Sequence, residues 1–171
     1  MKAGLITQGT RSKLGENEKE FLKRILPTVD TVAEWTLSKL RFLRRTVRYP
    51  LFKSIILSEF IVKSEWGSHP IAGEIFNKKF SNNIILMKAD SEWEGKVHEY
   101  DGEFYRAFRD LNDFAMHYSD YLTFLGKFQE VFLVGNPESQ IKLFCLAEED
   151  FSLHVAKLST TRDFYSLADR Y

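Results

Sequence analysis

A chain of 171 residues is long enough to bury a sizeable core, and 44% apolar with 28% charged residues is the balance of an ordinary globular domain. Basic and acidic residues number 24 each, so charge balance gives no reason to expect a nucleic acid partner. The single cysteine, Cys145, excludes an intrachain disulfide and a thiolate zinc site, and no run approaches the roughly 18 apolar residues of a membrane span.

Met1 to about Glu20 is polar, carries Gly4, Gly9 and Gly15, and reads as an N-terminal arm on a domain spanning residues 21–171. It lacks the apolar h-region of a secretory signal peptide, so none is expected. Glu16–Leu26 predicts a first helix that stops before Pro27, whose ring clashes with the preceding turn. A second helix is expected from Asp30 or Thr31, either of which can cap it. Val32, Trp35, Leu40, Leu43 and Val47 line one face of it. Lys39, Arg41, Arg44, Arg45 and Arg48 line the other. That basic face is either solvated or a contact for an acidic partner, made through Arg41, Arg45 and Arg48.

Pro50 to Pro70 is the stretch around which the rest is organised. Pro50 suits the first position of a helix, where its missing N–H costs nothing. Phe52, Ile55, Ile56, Phe60 and Ile61 recur at helical spacing, and a helix this apolar belongs inside a fold. Gly67 can end it in the left-handed conformation, with Trp66 expected buried beneath the turn. Lys63, Glu65, Trp66 and His69 crowd the exit.

Ile71, Ile75 and Phe76 predict a short helix ending near Asn77. Ile84–Lys88 and Lys96–Arg106 read as strands of a small sheet, with Asp101-Gly102 as a hairpin turn. Leu111–Phe132 is a helix with an apolar and aromatic stripe through Phe114, Ala115, Tyr118, Tyr121, Leu122 and Leu125. Gly135-Asn136-Pro137 breaks the chain. Pro137–Leu146 and Leu153–Leu167 are the last helices. The expected fold is mainly α, of α+β lysozyme-like type: a helical core with one small β-hairpin insertion.

A family resemblance covers residues 21–171. Ile56 to Gly67, ILSEFIVKSEWG, resembles the AQAxLESGWG pattern of glycoside hydrolase family 73, the endo-β-N-acetylglucosaminidases of peptidoglycan and the muramidase-like domain of flagellar rod-assembly proteins. The resemblance continues in order. Ser81-Asn82-Asn83-Ile84 with Lys88 is similar to NNLFGIK, and Trp93, Gly95 and Lys96 to WxGK. His98-Glu99-Tyr100-Asp101-Gly102 is similar to TxEYxxG, and Tyr105-Arg106-Ala107-Phe108 stands where FRxY is found. Ala156-Lys157-Leu158 through Tyr165-Ser166-Leu167 is similar to the closing AxKLxxxIxxYxL.

The departures bear on function. The resemblance implies a general acid at the glutamate of LESGWG, and here that position is Lys63. An ammonium near its usual pKa is a poor proton donor to a glycosidic oxygen and cannot serve as a carboxylate base. The motif glycine is Glu65. The late GYATD segment falls on Ala147-Glu148-Glu149-Asp150-Phe151, with Glu148 for its tyrosine. Glu59, one turn before Lys63, is spaced to pair with it. Glu65 with Glu99 is the one carboxylate pair that could replace the lost kit.

Trp66, Trp93 and Tyr100, with Glu59, are the candidate glycan-binding residues. His69, His98, His117 and His154 lack metal-ligand spacing, so neither metal nor cofactor is expected. Ser64 lacks the strained elbow of a nucleophile.

Three readings follow. One is a non-catalytic part of a phage particle or cell-wall-crossing machine, another an active hydrolase with a relocated acid, the third a glycan-binding module. The expected partners are a peptidoglycan strand or other proteins of a larger assembly. The expected location is the virion, or the cytoplasm before release or export through a dedicated apparatus.

Overall fold

The computed structural model describes residues 16–43, 48–73 and 81–148. Its elements are α1 (Glu16–Leu43), α2 (Lys53–Ser64), a 3-10 turn (Pro70–Ala72), β1 (Lys96–Tyr100), β2 (Glu103–Ala107), α3 (Leu111–Phe124), a 3-10 segment (Gly126–Leu133) and α4 (Pro137–Ala147). The fold is mainly helical with one small antiparallel sheet, as the sequence predicts. The chain divides into two compact units, one within 1–25 and 60–114, the other within 26–59 and 115–171.

α1 corrects the two-helix reading, because it runs unbroken for 28 residues through Pro27. Phe21, Ile25, Val29, Val32, Thr36 and Leu40 are all buried, a single stripe at three- and four-residue spacing that ignores the proline. A proline inside a helix costs about 3 kcal/mol. Burying several large aliphatic side chains, at about 1.5–3 kcal/mol each, outweighs it. Pro27 itself is exposed, and its carbonyl accepts the Thr31 hydroxyl at 2.9 Å.

α2 is the buried central helix: every residue from Ser54 to Val62 is buried. It starts at Lys53, so Pro50 lies outside it rather than at its first position. The approach is fixed by Gln140, fully buried on α4. Its Oε1 accepts the Phe52 N–H at 3.1 Å, and its Nε2 donates to the Pro50 and Val134 carbonyls at 2.8 and 3.1 Å.

The hairpin forms as expected, with Tyr100 opposite Glu103 and Asp101 and Gly102 both at positive φ, 52° and 79°. Ile84–Lys88 is not a strand. Ile84 and Ile85 form a turn, Leu86 is left-handed at φ 56°, and only Lys88 makes an isolated bridge, to Tyr105. The Asn83 side chain imposes this. Its Oδ1 accepts the Met87 N–H at 2.8 Å, while Nδ2 donates to the Met87 and Arg106 carbonyls at 2.9 and 2.8 Å.

α3 buries Phe114, Ala115, Tyr118 and Leu122 as its stripe predicts. It ends at Phe124, short of the predicted Phe132, because Leu125 is extended and the chain resumes as a 3-10 segment. Asn136 caps α4 by accepting the Ser139 N–H at 2.9 Å. The predicted helix Leu153–Leu167 lies outside the described residues, as do residues 74–80 and Arg44 and Arg45 of the basic face. Arg41 is exposed, while Lys39 is bonded to Asp120.

Candidate functional site

Several candidate residues of the first unit, Lys63, Glu65 and Trp66, lie where α2 ends. Ser64 closes the helix: its hydroxyl donates to the Phe60 carbonyl at 2.6 Å and accepts the Gly67 N–H at 2.9 Å. A capping role explains why this serine is fully buried, and it leaves no nucleophile there. Three left-handed residues follow, Glu65, Trp66 and Gly67, at φ 54°, 59° and 77°. Only glycine adopts that region without cost, so Glu65 and Trp66 carry about 1–2 kcal/mol of strain each. The Trp66 N–H reaches the Ile61 carbonyl at 3.0 Å.

Trp66 is half-buried rather than buried. The place beneath the turn belongs to Phe21 of α1, whose ring would lie 2.4 Å from a Cβ at residue 67. Lys63 occupies the last turn of α2 and is half-buried, as is Glu65.

His69 follows the left-handed turn and caps the 3-10 turn, its Nδ1 accepting the Ile71 N–H at 3.1 Å. The imidazole packs edge-on against Tyr100, at 5.1 Å between ring centres, and against Tyr105 at 6.4 Å. Burial pushes its pKa below the ordinary histidine value, and the nearby Glu65 carboxylate partly opposes that. Tyr100 therefore belongs to this cluster.

Glu99 does not share that face. Side chains alternate along a strand, so His98 and Tyr100 lie on one side of β1, with Tyr105 of β2 opposite His98. Glu99 falls on the other side with exposed Val97 and Phe104. Trp93 is committed within the hairpin base. Its Nε1–H donates to the Lys96 carbonyl at 2.8 Å, Arg106 lies over its ring at 4.8 Å, and Phe108 meets it edge-on at 5.5 Å. Gly95 is required beneath it, since a Cβ there would lie 2.4 Å from the indole.

In the second unit Glu59 is fully buried and accepts the Tyr118 hydroxyl. Tyr118 stacks on Tyr121, whose hydroxyl donates to the Glu148 carboxylate at 2.9 Å. Lys127 pairs with the same carboxylate at 3.1 Å. Glu148, itself buried, thus completes a polar cluster that reaches the surface at Lys127, which sequence spacing gave no means of finding. Among the described residues no cluster of His, Cys, Asp and Glu could hold a metal ion, and no helix is long and apolar enough to cross a membrane.

No family model and no curated protein matches the sequence. Solved structures do. The glycoside hydrolase domain of Salmonella typhimurium FlgJ superposes with a TM-score of 0.64 at 19% identity, over 90% of this chain and 87% of that one. A peptidoglycan hydrolase mutant from Sphingomonas sp. A1 gives 0.61 at 15% identity, over 89% and 99%. The chain shares the fold of these glycoside hydrolase and peptidoglycan hydrolase domains. The resemblance read from its motifs therefore extends to three dimensions across most of the chain. Lys63, which the sequence pattern matches to its acid, lies on the final turn of α2, and Glu65, matched to the pattern's glycine, in the left-handed turn after it. The left-handed φ of Glu65 gives a physical reason for a glycine in that pattern.

Proposed function

We propose that this chain is a degenerate peptidoglycan N-acetylglucosaminidase-like protein: it keeps the fold and has lost the chemistry. It serves as a non-catalytic structural or assembly component where a phage particle or a wall-crossing machine meets peptidoglycan. The observation that carries this is the lysine on the last turn of α2, where the motif resemblance asks for a protonated carboxyl. Cleavage of a glycosidic bond ordinarily needs two carboxylates facing one sugar. Glu65 lies in a left-handed turn near His69, and Glu99 lies on the side of β1 away from Tyr100. That arrangement favours loss of activity over a relocated acid.

The test is release of reducing ends from purified peptidoglycan by the wild type, Lys63→Ala and Glu65→Gln, beside co-sedimentation of each with the same material. No release by the wild type is expected. Robust release that survives Lys63→Ala and disappears in Glu65→Gln would overturn the proposal and make Glu65 the acid.

A further inference from the structure

His69 joins the end of α2 and the turn after it to the hairpin. The His69 backbone N–H donates to the Ser64 carbonyl at 3.1 Å, tying the residue to the end of α2. The ring Nδ1 accepts the Ile71 N–H, and the imidazole packs in T-shaped contact with Tyr100 and Tyr105 of the hairpin. The turn it caps is tied onward. The Ile71 and Gly73 carbonyls accept the Asn83 and Asn82 N–H groups at 3.2 and 3.0 Å, and Asn83 in turn holds Met87 and Arg106.

A ring nitrogen that accepts a backbone N–H must be unprotonated, so the proton of the neutral imidazole sits on Nε2. Taking up a second proton at Nδ1 turns the acceptor into a donor pointed at another donor. The bond to Ile71 cannot survive that change.

We propose that His69 is a pH-operated latch: protonation of Nδ1 releases the Ile71 amide and loosens the turn that links the end of α2 to the base of the hairpin. Among the described residues, the charged and titratable groups around it are few. Glu65 approaches from the left-handed turn, and Tyr100 and Tyr105 from the hairpin. Beyond these, Lys88 lies over Tyr105 and pairs with Glu103, and His98 stands opposite Tyr105 with its own Nδ1 bonded to Ser81. Only Glu65 favours the imidazolium, and burial opposes it. The latch is therefore closed at neutral pH. Its bond is fully present above the ordinary histidine value of 6.5 and is lost as pH falls below that through the lowered folded value. The device does not depend on what the surface binds.

The experiment is a pH titration of the 15N-labelled full chain from about 8 to 5, reading the Ile71 amide and the ring nitrogens of His69. At pH 8 the nitrogen shifts should show a proton on Nε2 and none on Nδ1. As His69 protonates, the Ile71 amide should move and its exchange protection should fall roughly fivefold, about what loss of one hydrogen bond costs. Asparagine is a capping acceptor that does not titrate, so His69→Asn should remove the step while keeping Ile71 protected. An Ile71 amide unmoved through the His69 transition would overturn the latch. So would an unchanged step in His69→Asn, which would assign it to Glu65 or His98. A proton found on Nδ1 at pH 8 would overturn it without any variant.

Discussion

Replacing Gly67 by alanine tests whether the left-handed turn is built on Phe21. Two costs arise. An alanine at φ 77° pays about 1–2 kcal/mol for the left-handed region. Its Cβ would fall 2.4 Å from Cδ1 and 3.0 Å from Cε1 of a ring that is itself buried, so the ring or the turn must shift. Overpacking of this kind costs about 1–3 kcal/mol. The lower entropy of an unfolded chain carrying alanine returns about 0.4–1 kcal/mol. The net loss is about 2–4 kcal/mol. Urea unfolding followed by circular dichroism measures it, and a double-mutant cycle separates the two causes. In a Phe21→Ala background the collision is gone, so Gly67→Ala should then cost only about 1 kcal/mol. A loss under about 0.5 kcal/mol in the wild type, or no coupling to Phe21, would refute the packing argument.

Two further expectations follow from single side chains. Asn83→Ala leaves the Met87 N–H and the Met87 and Arg106 carbonyls without the Asn83 amide. Urea unfolding should show a loss of about 2–4 kcal/mol, with the hairpin amides exchanging faster than those of α4. Cys145 is half-buried, and burial first and Glu59 second raise its pKa from 9.0 to about 11. At pH 8 its thiolate fraction is then roughly a hundredfold below that of an unperturbed thiol. Iodoacetamide should modify it slowly in the native chain and quickly in urea, with the native rate climbing towards pH 11.

The sequence made the hairpin and the buried α2 legible because local and long-range preferences agree there. Asp101-Gly102 wants the turn it makes, and the apolar residues of α2 leave no polar face to expose. Pro27 misled because its penalty is local, while the stripe from Phe21 to Leu40 that overrides it is long. Ile84–Met87 misled for the opposite reason. A short apolar run fits a strand or a buried loop equally well, and the choice was made by one Asn83 amide. At the candidate site, Gly67 announced its own conformation. Glu65 and Trp66 did not, since neither residue type prefers positive φ. The capping bonds of Ser64 and His69 are local, within four residues, whereas Gln140 anchors Pro50 and Phe52 across 90 and 88 residues, which no spacing encodes.

The hairpin tip has a practical consequence. Asp101, Gly102 and Glu103 are exposed, and a side chain added at Gly102 would meet nothing within 4 Å. The strands meet at Tyr100 and Glu103, so a guest peptide spliced between Asp101 and Gly102 would leave and re-enter at adjacent backbone positions. A fluorophore tag or an affinity epitope can be carried there, and the molecule followed or captured.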